Sequence, residues 1–305
     1  MKILNKDQCD KFVNLAVYRL KKYILENNLN GITTGISGGI DSAVVGLIGQ
    51  KTKANFKFFF LDCESNPDDY KKAKSLADKF NFKLEIINLT SWYFQSPLLN
   101  SIPKNHSKSA IAKGNMKARL RMISLYQVAL LNNYIYLDTD DFSEELMGFW
   151  TRHGDEGDVK IIQHVTKTEL YDLGEYLGVP KIILESKPGD GLNVTKGNEA
   201  VCQLGLDYIY VEYIVSRFTE QGFDYNGSIN QLKLSKFLEL EKIVAKEINK
   251  PLNSINKILE RTLLTSFKRK YGDYAPHLLP SRKKFGFLEF GTNVFNQKYL
   301  NAIIA

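Results

Sequence analysis

The strongest chemical signal in this 305-residue chain is a glycine- and serine-rich segment at residues 35–42, Gly-Ile-Ser-Gly-Gly-Ile-Asp-Ser. It lies between a strand-like run and the start of an apolar helix. Gly38 and Gly39 carry no side chain that would keep an anion from the backbone, and the helix directs free N–H groups and its positive dipole end to the same point. Ser37 and Ser42 add hydroxyl donors. The segment therefore predicts a phosphate-binding loop, with neither the Walker lysine nor the dinucleotide glycine spacing.

A second chemical signal is a basic helix, predicted over about residues 107–131, which carries Lys113, Lys117, Arg119 and Arg121 among apolar residues. Lys117 and Arg121 are four residues apart, so they share one helix face and could contact a single polyphosphate or carboxylate. A basic helix is also commonly a solvated face. The residues alone leave both interpretations open.

The elements that must position these residues alternate between strands and helices. Strands are predicted at 31–36, 57–62, 83–89 and 134–138, and helices over 6–27, from Ser42 onward and over 107–131. This alternation predicts an α/β fold, a doubly wound parallel sheet with flanking helices and right-handed crossovers. The segment Thr166-Lys-Thr-Glu169 has the form of a helix capping box. The chain from about 205 to 270 is predicted to form a helical C-terminal part, within a single compact domain.

Composition excludes several classes of protein. Hydrophobic residues make up 44% of the chain and charged residues 25%, ordinary globular values that argue against wholesale disorder. The formal net charge of +7 suggests a polyanionic partner. Three cysteines without a C-x-x-C pair and four scattered histidines predict neither a disulfide framework nor a transition-metal site, and favour a cytoplasmic location. No run approaches the roughly 20 apolar residues that cross a bilayer, so no membrane partner is expected.

Segment 35–42 resembles the pyrophosphate loop of the N-type ATP pyrophosphatases, and two further blocks narrow the resemblance to the NAD synthetases. Residues 113–123, KGNMKARLRMI, are similar to that family's K-G-N-x-x-A-R-x-R-M helix. Residues 138–155 are similar to its G-T-[DG]-N-x-x-E…G-[FY]-x-T-x-[YH]-G-D segment. Fainter matches extend the similarity to about residue 282. We therefore expect one synthetase-like domain over 1–282 and a C-terminal tail of unknown role over 283–305.

The resemblance implies an adenine nucleotide alpha hydrolase-like fold, ATP and Mg²⁺ as cofactors, and roles for individual residues. It implies catalytic roles for Asp41, Asp155 and Lys187, and metal ligation by Asp41 and Glu144. The residues implied in binding ATP and pyrophosphate are Gly35, Ser37, Gly38, Gly39, Asp41, Ser42, Thr139 and Lys268. Those implied in binding the acceptor substrate are Asn115, Lys117, Arg119, Arg121 and His153. Carboxylates beside a triphosphate are the ligands that Mg²⁺ requires, so the assignments are chemically coherent.

The same resemblance implies a reaction, in which ATP converts the nicotinate carboxylate of deamido-NAD to an acyl adenylate and ammonia displaces AMP to give NAD. Glutamine-using members carry an amidohydrolase domain ahead of the loop, whereas here the loop starts at residue 35, so we expect direct use of free ammonia. A homodimer is implied as well. No nucleic-acid partner is expected, because the sequence shows no appended RNA-binding module, no zinc motif and no cysteine pair for sulfur transfer.

Several positions depart from the family pattern, and most of them add acid near a site for polyanions. Asp138 and Glu156 stand in place of glycines, Asp141 stands in place of an asparagine, and Gly189 replaces a hydroxyl residue. Residues 62–64, Asp-Cys-Glu, stand where an arginine near the adenine would be expected. These departures keep open a paralogue that amidates another carboxylate, such as nicotinate mononucleotide. A tRNA-modifying ATP pyrophosphatase and a non-catalytic scaffold are less favoured alternatives.

Overall fold

The computed structural model describes residues 2–189, 191, 192, 194, 199–227, 233–269 and 277–305. Its strands are β1 (Gly31–Gly35), β2 (Asn55–Asp62), β3 (Leu84–Asn88) and β4 (Tyr134–Tyr136). The helices up to β4 and just after it are α1 (Lys6–Glu26), α2 (Ile40–Lys51), α3 (Pro67–Phe80), α4 (Thr90–Gln95), α5 (Pro97–Asn100), α6 (Ser109–Asn132) and α7 (Phe142–Met147). The later helices are α8 (Lys167–Leu177), α9 (Lys181–Leu184), α10 (Glu199–Leu204), α11 (Tyr208–Glu220), α12 (Leu234–Glu247), α13 (Leu252–Leu264) and α14 (Asn293–Ile304), with short 3₁₀ turns at Ser266–Lys268 and Arg282–Phe285. The expected end of the helical region near Lys270 lies outside the described residues.

The four strands form one parallel sheet in the order β3-β2-β1-β4. Gly31 pairs with Asn55 on one side and with Tyr134 on the other, so the carboxyl ends of these strands meet at one edge of the sheet. This arrangement confirms the predicted α/β class. Strand β4 ends before the predicted 138: the N–H of Leu137 still donates to the carbonyl of Thr33 in β1 at 2.9 Å, but the N–H of Asp138 donates instead to the carbonyl of Val159 at 3.0 Å.

Strand β2 shows why helices cover both faces of the sheet. Phe58 and Phe60 belong to the main hydrophobic core, which includes most of α2, whereas Phe59 and Leu61 belong to a second, smaller cluster with Leu125 of α6. Successive side chains of a strand point to opposite faces, so a strand that is apolar at every position needs cover on both sides. The sheet therefore holds α2 on one face and α6 on the other.

The main core also joins the two ends of the described chain. Phe12 of α1 is buried, as the apolar periodicity predicts, and its ring stacks on Phe287 and meets Phe285 edge-on. Residues 283–305, for which the sequence predicts only a tail of unknown role, complete a 3₁₀ turn and form α14, where Tyr299 is fully buried. The segment packs onto the core rather than extending the sheet. Among the described residues no helix is both long and apolar enough to cross a bilayer.

Candidate active site

The predicted phosphate loop lies at the carboxyl end of β1, where residues 36–39 lead into α2. The helix begins at Ile40 with Gly39 as its N-cap, and among the described residues no side chain caps its first N–H groups. Ser37 Oγ lies 3.0 Å from Ser42 Oγ, and Ser42 Oγ donates to the carbonyl of Gly39 at 3.2 Å. The hydroxyls hold the loop closed on itself, and the uncapped helix start presents backbone donors that suit an anion.

The two glycines of this loop are required for different reasons. Gly38 has a φ of +89°, and a Cβ there would lie 2.4 Å from the carbonyl oxygen of Asp69 in α3, so the fold itself demands glycine. Gly39 is under no such constraint, because a Cβ would meet only Ser37 Oγ at 3.4 Å and Asp41 Oδ2 at 3.8 Å. The space beside Gly39 therefore lets a ligand approach the backbone closely.

A cavity of about 660 Å³ opens at the loop. The residues singled out from the sequence that line it are Gly35, Ser37, Asp41, Ser42, Asn115, Arg121, Thr139, Glu144, Asp155 and Lys268. We call one part of the lining the loop wall, which consists of Gly35, Ser37, Asp41, Ser42 and Glu144. We call another part the tryptophan wall, which consists of Asn115, Trp150, Thr151, Asp155 and Lys268. The fold thus gathers predicted nucleotide-binding and acceptor-binding residues around one space.

At the loop wall, three carboxylates surround one buried ammonium. Nζ of Lys167 lies 2.6 Å from Asp41 Oδ1, 2.9 Å from Asp141 Oδ2 and 2.7 Å from Glu144 Oε1. Lys167 is only 1% exposed and is the first residue of α8. The sequence alone indicates no site role for this lysine. The signal that could have found it is the need of Asp41, Asp141 and Glu144 for a positive partner.

The charges of this cluster depend strongly on one another. Burial raises the pKa of Asp141 to about 7 and that of Glu144 well above its usual range, and Lys167 opposes both rises. Burial would lower the pKa of Lys167, but Asp141, Asp41 and Glu144 together raise it well above its usual value. The ammonium is therefore always charged, and the carboxylates around it can still accept more positive charge.

The cluster fits the metal that the resemblance implies. Asp41, Asp141 and Glu144 offer oxygen atoms that all lie within 4.8 Å of one another. Such hard oxygen donors suit Mg²⁺. With all three carboxylates ionised, three negative charges and the one ammonium leave a net charge of −2, which a single divalent cation balances. The donor set contains the predicted Asp41 and Glu144 and adds Asp141 as a third oxygen ligand.

On the tryptophan wall, Thr151 holds two predicted site residues in place. Its N–H donates to Asp155 Oδ2 at 2.6 Å, and its hydroxyl donates to Asn115 Oδ1 at 2.8 Å. Burial raises the pKa of Asp155, and the hydrogen bond from Thr151 and the charge of Arg121 oppose the rise. Asp155 and Asn115 are therefore oriented by the backbone and hydroxyl of one buried threonine.

Lys268 is the cation of the tryptophan wall. Its Nζ donates to the carbonyl of Gly148 at 2.7 Å and to the carbonyl of Trp150, and it lies 5.1 Å from the centroid of the Trp150 ring. Burial and the nearby charge of Arg261 lower the pKa of Lys268 to about 8. Lys268 can therefore change its charge near neutral pH, which Lys167 cannot.

Lys117 and Arg121 share one face of α6, as predicted, and protein groups hold both. Lys117 Nζ lies 2.6 Å from Glu64 Oε2 and 3.2 Å from the carbonyl oxygen of Leu192. Arg121 donates to the carbonyl of Gly191 at 2.9 Å and to a carbonyl at the end of β2 at 3.2 Å. The two cations therefore tie α6 to the end of β2 and to the segment that contains Gly191 and Leu192.

Six predicted site residues are absent from the described lining of the main cavity: Gly38, Gly39, Lys117, Arg119, His153 and Lys187. Arg119 is exposed and donates to the carbonyl of Arg152 at 3.2 Å. His153 is exposed and lines a second cavity of about 370 Å³. Lys187 is exposed and, in the part of the chain that the structure describes, does not line the main cavity. Their assigned roles remain predictions from the resemblance.

The acidic departures from the family pattern each have a local partner. Asp138 Oδ2 lies 4.0 Å from Lys160 Nζ. Asp141 pairs with Lys167 in the cluster described above, and Glu156 Oε2 accepts a backbone N–H at 2.8 Å. None of these three acids belongs to the described lining of the main cavity. The added acid therefore pairs with protein groups behind the described cavity surface.

A parallel sheet with a glycine-rich, uncapped helix start at its carboxyl edge, a carboxylate cluster and one large cavity defines a nucleotide-binding α/β protein. The family model described as NAD synthase matches residues 12–251. The chain therefore belongs to the NAD synthase family. This membership confirms the resemblance drawn from the loop, the basic helix and the 138–155 segment.

Two curated relatives and one solved structure illustrate the match. The chain is 35% identical over 200 residues to the NH(3)-dependent NAD(+) synthetase of Syntrophomonas wolfei, which covers 64% of this chain and 80% of that protein. It is 30% identical over 267 residues to the enzyme of the same name from Methanocaldococcus jannaschii, and this match covers 86% of this chain and 95% of that protein. The structure of an NMN synthetase from Francisella tularensis matches with a TM-score of 0.63 at 25% identity, over 85% of this chain and 95% of that one.

Proposed function

We propose that this protein is an ammonia-dependent NAD synthetase. It uses ATP to convert the nicotinate carboxylate of deamido-NAD to an acyl adenylate with release of pyrophosphate, and ammonia then displaces AMP to give NAD. The names of both curated relatives support this activity. The structural observation that supports it most is one cavity lined by both the phosphate loop and the carboxylate cluster, because adenylation needs backbone donors and a cation site at the same polyphosphate.

The loop wall would handle the leaving pyrophosphate. A free carboxylate reacts poorly with ammonia because its leaving group would be oxide, and adenylation replaces that leaving group with AMP. The N–H groups at the start of α2, together with Ser37 and Ser42, would bind the pyrophosphate at the positive end of the helix dipole. Gly39 leaves room for its approach, and Thr139 would contact the nucleotide from the adjoining part of the cavity. No side chain acts as a covalent nucleophile in this scheme.

Asp41 and Glu144 would hold Mg²⁺, with Asp141 as a third donor. When bound, the ion supplies charge neutralisation at the triphosphate. Lys167 keeps the three carboxylates together from its buried position, so the cluster keeps its shape as ligands enter and leave. Asp155 would lie at the reacting phosphate, as the resemblance implies.

The tryptophan wall would bind the acceptor and stabilise growing charge. Lys268 would neutralise charge at the phosphates from a site that is already closed to water on several sides, where a fixed cation is most effective. Asn115 and Arg121 line the same cavity and would contact the acceptor. Roles for Lys117, Arg119, His153 and Lys187 rest on the resemblance alone.

A paralogue that amidates nicotinate mononucleotide is the second candidate. The observation in its favour is the match to the Francisella protein named NMN synthetase, at 25% identity. The curated relatives named above are more similar to this chain, at 35% and 30% identity, and both are named for the synthesis of NAD. The acidic departures do not favour the paralogue, because they lie outside the described cavity lining. We therefore prefer deamido-NAD as the acceptor.

The test is an incubation of the pure protein with ATP, Mg²⁺, an ammonium salt and deamido-NAD, in which AMP and NAD are followed together. We expect equal amounts of AMP and NAD, and no NAD when glutamine replaces ammonium. AMP release that requires nicotinate mononucleotide would establish the paralogue instead. No AMP with either carboxylate would overturn the proposed function.

The same proposal includes a cytoplasmic homodimer. Trp92 of α4 is 72% exposed, and Ile123 and Leu130 of α6 are 58% and 79% exposed, on two helices that pack together. Large exposed apolar side chains on neighbouring elements are typical of interfaces. The three cysteines are free thiols, which suits a reducing compartment. Sedimentation should give twice the chain mass of 34.8 kDa, and a single-chain mass at micromolar concentration would contradict the dimer.

A further inference from the structure

The first turn of α8 carries Lys167 into the carboxylate cluster, and a capping box fixes this turn. The N–H of Thr166 donates to Glu169 Oε2 at 3.0 Å, and the N–H of Glu169 donates to Thr166 Oγ1 at 3.2 Å. In a capping box these two side chains satisfy the helix end by themselves. Here each of them also has a second partner, and both partners come from the C-terminal end of the chain.

Tyr299 of α14 is the second partner of Thr166. The two hydroxyl oxygens lie 2.7 Å apart, and both residues are fully buried. The ring of Tyr299 stacks on Phe295 with centroids 4.1 Å apart, which restricts where its hydroxyl can lie. Removing the Tyr299 hydroxyl would leave the Thr166 hydroxyl without this partner in a region closed to water.

Arg282 is the second partner of Glu169. One guanidinium nitrogen donates to Glu169 Oε2 at 2.9 Å, and the other donates to Oε1. Arg282 also donates to the carbonyl of His164, just before α8. A bidentate pair of this kind fixes both the position and the orientation of the carboxylate. Glu169 is therefore held from outside its own helix.

One peptide bond connects these contacts to the carboxylate cluster. Lys167 follows Thr166 directly, and its own N–H donates to Ser143 Oγ at 2.9 Å. Its ammonium makes three contacts of 2.9 Å or less, one to Asp41 of α2 and two to carboxylates at the start of α7. A small shift of Thr166 would therefore lengthen all three. The family match ends at residue 251, so Arg282 and Tyr299 lie beyond it.

We propose that the C-terminal segment is a positioning element of the catalytic site, in which Tyr299 and Arg282 hold the capping box of α8 so that Lys167 keeps the carboxylates in their metal-binding arrangement. Neither residue contacts substrate in this scheme. The activity measurement that tests this inference rests on the proposed function. A second measurement, the effect of Mg²⁺ on the unfolding temperature, depends only on the cation site. It gives residues 282–305 a role beyond packing.

The experiment compares Tyr299→Phe with Tyr213→Phe. Tyr213 is a matched control because it is 1% exposed and its hydroxyl donates to Glu247 Oε2 at 2.6 Å, without contact to the capping box. Both variants lose one buried hydroxyl contact, so both should lose some thermal stability. Only Tyr299→Phe should lower kcat, by about tenfold, and raise the Mg²⁺ concentration at half-maximal rate, because small displacements at a reacting centre are costly. The KM for deamido-NAD should stay unchanged in both.

Equal kcat and equal Mg²⁺ dependence in the two variants would overturn the inference. If Tyr299→Phe does not fold, Arg282→Lys, which cannot make the bidentate contact with Glu169, should lower kcat and raise the Mg²⁺ requirement in the same direction, and values equal to those of Tyr213→Phe would overturn the inference. If the wild type makes no NAD, the proposed function fails, and the inference is judged by thermal unfolding with and without Mg²⁺. The rise in unfolding temperature on adding Mg²⁺ should then be smaller in Tyr299→Phe than in Tyr213→Phe, and equal rises would refute it.

Discussion

The lysine behind the loop wall and the lysine of the tryptophan wall have opposite surroundings. Lys167 at the loop wall is surrounded by three carboxylates and keeps its charge at every physiological pH. Lys268 on the tryptophan wall has carbonyl oxygens and an indole ring around it, and burial lowers its pKa to about 8. The same residue type therefore has a structural task on one wall and suits a charge-sensitive task on the other. The environment of each ammonium determines which of these two tasks it suits.

The substitution with the largest expected effect, Glu144→Gln, tests the loop wall. Glu144→Gln keeps the size of the side chain but removes a negative charge from the carboxylate cluster, so metal binding and adenylation should fail together. We expect kcat to fall by about a thousandfold, as for the loss of a preorganised charge at a reacting centre. Steady-state AMP release measures it.

The matched control is Glu145→Gln on the same helix, which lies outside the described cavity lining and should change the rate little. Circular dichroism should show both variants folded. An E144Q variant that kept a tenth of the wild-type rate would refute the assigned role of Glu144.

The next effect separates the two loop glycines. Gly38→Ala meets the Asp69 carbonyl at a φ of +89°, so we expect a loss of stability of about 1–3 kcal/mol, measured by urea unfolding. Gly39→Ala has space for its methyl group, so its unfolding should match the wild type. Its methyl group should instead obstruct the phosphates and raise the KM for ATP by about a hundredfold.

A Gly39→Ala variant with normal ATP binding would show that the phosphates do not approach the backbone at that point. Equal stability in the two variants would show that the loop can rearrange around Gly38. Either result would break the account of the loop wall while leaving the tryptophan wall untouched.

A smaller effect tests the titration of Lys268. Its pKa is lowered to about 8 from an ordinary value near 10.5, so the ammonium is present below pH 8 and lost above it. The rate at limiting ATP should therefore fall as pH rises through about 8, when the concentration of free ammonia is held constant. Lys268→Arg keeps its charge and should shift this fall to higher pH. An unchanged alkaline fall in K268R would assign the titration to another group.

The substitution with the smallest expected effect, Lys117→Met, tests whether the cations of α6 contact the acceptor. Lys117 pairs with Glu64 and is 3% exposed, so Lys117→Met should weaken acceptor binding only indirectly, with a change of about threefold in KM. A direct contact between Lys117 and the acceptor would cost about 2 kcal/mol or more when truncated. Titration calorimetry with deamido-NAD distinguishes the two, and the larger loss would restore the substrate-binding role that the sequence suggested.

The sequence was most informative where function depends on neighbouring residues. The shape of the loop before α2 could be predicted because Gly38, Gly39 and Ser42 act through backbone geometry and hydroxyls within a few residues, and its binding of phosphate stays a prediction. The parallel sheet could be predicted because each strand and helix carries its own apolar pattern. Seven of the ten predicted site residues that line the cavity follow the ends of β1 and β4 or lie on α6, whereas Glu144 lies on α7, Asp155 follows α7 and Lys268 lies in the 3₁₀ turn after α13.

The features that could not be predicted from the sequence depend on contacts between residues far apart in the chain. Lys167 has no motif of its own, and its partners Asp41 and Glu144 lie 126 and 23 positions away. Lys117 and Arg121 share a helix face as predicted, but which groups meet that face depends on how β2 and the segment with Gly191 pack against it. The contacts of Tyr299 and Arg282 with the capping box likewise depend on tertiary packing. In the sequence, Tyr299 shows only as part of an apolar pattern.

The most direct test of the central claim follows one oxygen atom. Deamido-NAD labelled with ¹⁸O in both oxygens of the nicotinate carboxylate is turned over with unlabelled ATP and ammonium, and the products are analysed by mass spectrometry. Attack of the carboxylate on the α-phosphorus predicts one ¹⁸O in the phosphate of each AMP and none in pyrophosphate. Label in inorganic phosphate or pyrophosphate, or unlabelled AMP formed together with NAD, would contradict the acyl adenylate.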